Sequence, residues 1–367
     1  MSHSFKLRVS VFVLLALFTI SLNNHIEVQA GGSPTGSSVI TIDQNLQDGT
    51  LPLPRNPRNK AGINEGTLVG NEETIIQVMQ GKVINPEKNK PYVPDLGLGY
   101  ILEIVTSKNN PQATIDYIIS ANDQGFIPVI RLCFQDPTTC KFKSAADIYL
   151  FYEAVAQGLA GTDDVFVAAL GPNEPGSGEA EAFGVTHGDY ATLVNWANTA
   201  AAYLQKYRVK NGGNIYLGPA IFNGTNSVPG SDDVKGYLYS QPSINADDFD
   251  FILTNLYNDG GKTAKYFYRE VGRSMRKYVK DHPHLKTIIT ENGFKPFYGD
   301  PTDLDLFKTT YVKLCNDVTI SGIIFFRPFS AAKLPPGYPA FYPRQNPAIR
   351  PKTLQKLIQS CAATSPI

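Results

Sequence analysis

Eight short apolar runs recur between residues 61 and 326, each separated from the next by a longer stretch of different rhythm. They cover residues 61–64, 99–105, 127–134, 165–170, 215–222, 249–257, 287–291 and 321–326. Several are almost continuously apolar, as strands of a parallel sheet covered on both faces must be. The intervening stretches read as helices. Residues 189–207 place Tyr190, Leu193, Val194, Ala197, Ala201 and Leu204 on one face at a period of 3.6. Ser144-Ala145-Ala146-Asp147 forms a capping box that opens another helix. Residues 351–361 form a closing amphipathic helix. Alternation of this kind builds βα units around a parallel sheet. Eight units favour a closed (β/α)8 barrel, the TIM-barrel architecture, as one domain. The run at 61–64 is the weakest of the eight. An open doubly wound sheet is the structural alternative. However, Gly97-Leu98-Gly99 precedes a strand instead of following one, and its third glycine is missing, so there is no dinucleotide fingerprint.

A chain of 367 residues, 42% of them apolar, can fill a core of that size. Its ends carry other information. Lys6 and Arg8 precede an apolar run over 9–22, and Val28-Gln29-Ala30 offers small residues at −3 and −1. This is the layout of a signal peptide over residues 1–30, too short in its apolar part to span a bilayer comfortably. An uncleaved anchor is the other reading. Residues 31–59, rich in Gly, Ser, Pro and Asn, read as an extended arm, and residues 60–367 as the barrel. The mature chain is thus expected to be secreted, free of the membrane and monomeric.

Cys133, Cys140, Cys315 and Cys361 suit an oxidising compartment. Pairing 133–140 and 315–361 is one of three connectivities, and four free thiols the remaining reading. Asn223-Gly224-Thr225 is a glycosylation acceptor in a eukaryotic secretory host. The formal net charge is zero and no basic block occurs, which leaves nucleic acid without a footing. No spacing matches a zinc site, so neither metal nor cofactor is expected. No Gly-x-Ser-x-Gly elbow supports an esterase.

Two glutamates carry the chemistry. Glu174 follows the fourth run in Leu170-Gly171-Pro172-Asn173-Glu174-Pro175, and Glu291 ends the seventh in Thr290-Glu291-Asn292-Gly293-Phe294. In a barrel, the C-terminal strand ends form the active face, so both carboxyls belong to one mouth. They lie 117 positions apart, three βα units of about 39 residues. That exceeds the roughly 31 of a 250-residue barrel, as moderate active-face loops would require. Breaking a glycosidic bond needs one protonated carboxyl to donate to the leaving oxygen and one ionised carboxyl to attack or to activate water. Other readings of each residue remain open. Glu174 can be a solvated loop acid, Glu291 half of a structural ion pair with a buried Arg, and Tyr257 simple packing.

Asn-Glu-Pro after a fourth strand and Thr-Glu-Asn-Gly after a seventh resemble clan A of the glycoside hydrolases, over about residues 60–361. The resemblance implies Glu174 as acid/base and Glu291 as nucleophile, in a retaining enzyme with the carboxyls about 5–5.5 Å apart. It also implies that Asn173 binds the sugar 2-hydroxyl and that Tyr257 orients the nucleophile. Asn255, in Asn255-Leu256-Tyr257-Asn258, joins the candidate substrate contacts.

Two departures stand out. The clan usually places a basic residue at an early strand end, most often the second. Here the candidate is Arg131 on the third, so either the strand count is off by one or the role differs. An Arg that binds backbone carbonyls is the alternative. The clan commonly ends strand eight in tryptophan, where this chain has Phe325-Phe326-Arg327. Phe326 then takes the stacking role and Arg327 adds a contact, while Trp196, the single tryptophan, falls within a helix. The expected partner is a β-linked poly- or oligosaccharide. A catalytically idle barrel that binds carbohydrate is the alternative function.

Overall fold

The computed structural model describes residues 60–64, 77–92, 94–106, 108, 110–134, 142–172, 189–222, 233–258, 273–294, 308–309, 311–326 and 351–362. Each of the eight apolar runs is a strand: β1 Ala61–Asn64, β2 Tyr100–Val105, β3 Ile127–Leu132, β4 Phe166–Leu170, β5 Ile215–Phe222, β6 Phe251–Asn258, β7 Lys286–Phe294 and β8 Ile320–Phe326. They close in the order β1-β8-β7-β6-β5-β4-β3-β2, and every neighbouring pair is parallel. The weakest run supplies the closure, because β1 pairs with β8 through Ala61 to Asn64 and with β2 through Gly62 and Ile63.

Alternation along the strands divides their side chains into two layers. Tyr100, Leu102, Val129, Val167, Leu253, Ile288 and Ile324 fill the barrel interior. Ile101, Ile130, Ala168, Ile252, Ile289 and Ile323 face outward and pack with the helices. The interior is tight. A Cβ on Gly62 would lie 2.6 Å from Tyr100 Cβ, and one on Gly218 2.6 Å from Leu253 Cγ, so these two strands approach their neighbours' large side chains only as glycine.

The helices are α1 Pro111–Asp123, α2 Ala145–Gly158, α3 Tyr190–Leu204, α4 Asp233–Leu238, α5 Arg273–Asp281 and α6 Pro351–Ala362. Of the capping box read at Ser144, the N-cap half is present: the Ser144 side chain accepts from the Asp147 backbone N–H at 3.2 Å, while the Asp147 carboxylate accepts from Lys143 N–H at 2.8 Å. Asp189 caps α3 in the same way through Thr192 N. Each such cap stabilises a helix by about 1 kcal/mol. Trp196 sits on α3, with its ring 6.0 Å from that of Phe134. A two-residue ribbon, Ile84–Asn85 with Lys90–Pro91, was not read from the sequence.

Below the N-terminal strand ends lies a buried Arg208–Asp250 ion pair. All five guanidinium donors are used, on both Asp250 oxygens, Gln205 Oε1 and the Asp247 and Phe249 carbonyls. Asp250 also accepts from Leu217 N, at 2.8 Å.

The predicted signal peptide, the arm over 31–59, Cys140 and the acceptor at 223–225 lie outside the described residues. Among the described residues, no helix is long and apolar enough to cross a membrane.

Candidate active site

Strand parity aims the first two residues of the site. On β3, Ile127 and Val129 point into the barrel, and Arg131 follows them. On β6, Phe251 and Leu253 point inward, and Asn255 follows. Both polar side chains therefore stand above the apolar interior, toward the C-terminal strand ends, and both are buried.

Parity alone would misplace Glu291. On β7, Ile288 is interior and Ile289 packs outward, so regular alternation puts Thr290 inside and Glu291 among the helices. The pairing with β6 is interrupted at this point. Leu253 opposes Ile288 and Thr254 opposes Ile289, but Asn255 opposes Glu291. Thr290 is the extra residue of a β-bulge, a device that re-aims a side chain. The β7–β8 register slips over the same stretch, from Ile323↔Ile289 to Phe325↔Asn292. Consequently Thr290 and Glu291, though consecutive, both reach the inward cluster.

That cluster is a chain of charge-assisted contacts. Arg131 Nη1 donates to Glu291 Oε1 in a buried ion pair, the side chains only 3% and 7% exposed. Arg131 Nη2 donates to Asn255 Oδ1 at 3.2 Å, and Thr290 Oγ1 donates to the same oxygen at 2.8 Å. Arg131 Nε is buried and has no hydrogen-bond acceptor among the described residues. Arg208 at the opposite end spends all five donors on the protein, whereas Arg131 Nε is left without an acceptor among the described residues.

Tyr152 of α2 supports this end of β3. Its hydroxyl lies 2.8 Å from Ile130 O and 3.1 Å from Ala169 O, joining β3 to β4 just where their ladder, which pairs Val129 with Val167 and Ile130 with Ala168, gives out. Burial pushes the Tyr152 hydroxyl pKa well above its ordinary range, against smaller opposing pulls from the Ala169 bond and the Arg131 charge.

Arg131, Asn255 and Glu291 are thus brought together, from β3, β6 and β7. Arg131 is on the third strand of the closed barrel, so the strand count stands. The ion-pair reading of Glu291 describes its contact, and Arg131 meets side chains, not backbone carbonyls. Tyr257 and Phe326 are placed by their backbones, paired with Gly293 and Asn64. Asn173, Glu174 and Arg327 lie outside the described residues. The lead into Asn173 is described as far as Pro172. Gly171 leaves β4 at φ +130°, a conformation rarely open to other residues. Thr290 and Tyr152 were not singled out from the sequence. Neither a bulge nor a helix-borne hydroxyl has a periodic signature. Among the described residues, no group of three or more His, Cys, Asp or Glu could hold a metal ion.

No protein-family model matches the sequence, and no curated protein matches it. Solved structures do resemble it in fold. An endo-1,4-β-mannanase from Rhizomucor miehei superposes with a TM-score of 0.51 at 12% identity, over 84% of this chain and 96% of that one. A double mutant of Cellulomonas fimi endo-β-1,4-mannanase gives 0.51 at 15% identity, over 83% and 71%. A GH5_18 protein from Bifidobacterium longum subsp. infantis gives 0.51 at 11% identity, over 83% and 79%. At such identities the likeness is one of fold. The architecture is a closed parallel (β/α)8 barrel, and its structural neighbours are clan A glycoside hydrolases.

Proposed function

We propose that the chain is a retaining glycoside hydrolase that cleaves β-glycosidic bonds of an extracellular poly- or oligosaccharide by double displacement. The observation that carries this reading is the Arg131–Glu291–Asn255 cluster. A strand-seven carboxylate is turned into the barrel mouth by a bulge and held there by a guanidinium whose Nε has no acceptor among the described residues. A carboxylate placed only for stability has no need of that bulge, since the strand would otherwise face it outward.

In this reading Glu291 attacks the anomeric carbon while Glu174 protonates the departing glycosidic oxygen. A covalent glycosyl ester on Glu291 results. Glu174, now ionised, takes a proton from water, which attacks the same carbon and frees Glu291. The resemblance assigns sugar contacts to Asn173, Tyr257, Phe326 and Arg327. Two of the neighbours named above are endo-mannanases, so β-1,4-mannan heads the substrate panel. Export fits the chemistry of a polymer substrate, and an oxidising compartment would suit the four cysteines paired 133–140 and 315–361, the connectivity favoured in this reading.

Hydrolysis of β-mannan, β-xylan, β-glucans and chromogenic aryl β-glycosides tests the proposal. Glu291→Gln abolishes turnover, and Glu174→Gln spares activated aryl glycosides far more than polysaccharide, because a good leaving group needs little protonation. Proton NMR of fresh product shows retained configuration. Binding of these glycans without turnover by the wild type establishes the idle barrel instead, and an inverted product refutes double displacement.

A further inference from the structure

We infer that Thr290, the extra residue of the β7 bulge, is a positioning residue: its hydroxyl locks Asn255 so that Arg131 holds Glu291 in place. The role in catalysis rests on the function proposed above; the positioning itself does not.

The argument starts from donors and acceptors. A guanidinium carries only donors, so the Asn255 atom facing Arg131 Nη2 must be its amide oxygen. With Oδ1 so fixed, the Thr290 hydroxyl, 2.8 Å from the same atom, donates to it as well. Oδ1 has two lone pairs, and the two contacts occupy both. The amide has no alternative orientation, because a flip would set its N–H2 against the guanidinium. Arg131 in turn must reach from β3 to β6 and β7. Its two Nη groups are anchored at different places, Nη1 on Glu291 and Nη2 on Asn255. Without the Thr290 bond, Asn255 Oδ1 loses one of its two donors, and the acceptor for Nη2 is held less firmly.

The bulge gives the hydroxyl a second meaning. One extra residue turns Glu291 inward, and the same residue supplies the donor that braces the cation opposite it. The residue that re-aims the carboxylate and the residue that fixes its partner are one. A β-branched side chain serves this place well, since its χ1 is stiff and its hydroxyl does not wander.

The test compares Thr290→Val, which keeps the shape and loses the hydroxyl, with Thr290→Ser, which keeps the hydroxyl. On an aryl β-glycoside, Thr290→Val lowers kcat roughly 10- to 100-fold with KM within about threefold, the scale for a misplaced catalytic group. Thr290→Ser stays within about threefold of wild type in both. A second readout needs no turnover. In protein labelled with 15N-arginine, the Arg131 Nη protons, identified by their loss in Arg131→Lys, are resolved in the wild type and Thr290→Ser and averaged by rotation in Thr290→Val. Arg131 signals unchanged in Thr290→Val overturn the inference. So does a loss in Thr290→Val that Thr290→Ser fails to rescue, since packing alone then explains it. A wild type that turns over no glycan defeats the enzymatic reading, and the Arg131 signals still decide the positioning.

Discussion

Arg131 and Glu291 are 160 residues apart in sequence and four strands apart around the barrel in either direction, yet they form a buried ion pair across its interior. Only inward-pointing side chains of opposite strands can meet in this way. The pair therefore reports on strand parity, register and closure at once. Its energetics make the first prediction. Two desolvated charges compensate one another, and removing one strips the other of this counter-ion. Arg131→Met and Glu291→Met should each destabilise the fold by about 3–5 kcal/mol, while the double variant should recover most of that loss. Urea unfolding of the four proteins closes the cycle. Additive single-variant losses would show that the two groups are not coupled.

Much of this arrangement could be read beforehand. Runs of buried strand residues set the eight strands, and alternation from Ile127 through Val129 puts Arg131 in the interior without any structure. Asn255 follows from Phe251 and Leu253 by the same rule. Glu291 does not. Alternation from Ile288 assigns the interior to Thr290, and only the motif around Glu291 singled it out. One inserted residue reverses the facing of a strand end, and its cause is the local pairing of β7 with β6 and β8, which no periodicity in either strand records. Tyr152 was illegible for a different reason. Its hydroxyl crosses from a helix to two strand carbonyls, a contact defined by packing between distant segments.

Tyr152 makes the second prediction. The β3 and β4 strands carry Arg131 and the lead into Gly171, and the hydroxyl ties their carbonyls where the ladder ends. Tyr152→Phe keeps the ring and deletes the tie. It should cost about 1–2 kcal/mol in urea unfolding, the net worth of a buried hydrogen bond plus the carbonyl left behind. Catalysis should fall as well, by roughly threefold to tenfold in kcat/KM, because the β3 end loosens beneath Arg131. An unchanged kcat/KM in a destabilised protein would place Tyr152 outside the support of the site.

The third prediction contrasts the two buried arginines. Arg208 lies at the N-terminal end of the barrel with every donor satisfied, as suits the face of a barrel that serves stability. Asp250→Ala removes its anion and the acceptor for Leu217 N. The fold should lose about 3–5 kcal/mol. The folded fraction should nevertheless keep kcat/KM within about twofold, since active groups belong to the other end. A large loss of kcat/KM at temperatures where circular dichroism shows a native protein would contradict this division of the barrel.

The fourth prediction concerns alkali. Burial pushes the Tyr278 hydroxyl up to about 12, and holds Tyr100, Tyr152, Tyr216 and Tyr311 above the ordinary tyrosine range. A folded-state pKa raised above the unfolded value means that the native protein retains protons which the unfolded chain releases. The stabilisation is complete below pH 10 and is lost as the pH climbs through the raised folded values, about 12 for Tyr278. The ionisation of these hydroxyls can be followed by 295 nm absorbance. These five should ionise only in a late, cooperative step that coincides with loss of the far-ultraviolet circular dichroism signal. Smooth ionisation of all 19 tyrosines with the native spectrum intact past pH 12 would mean that these hydroxyls are not held in the core as the structure places them.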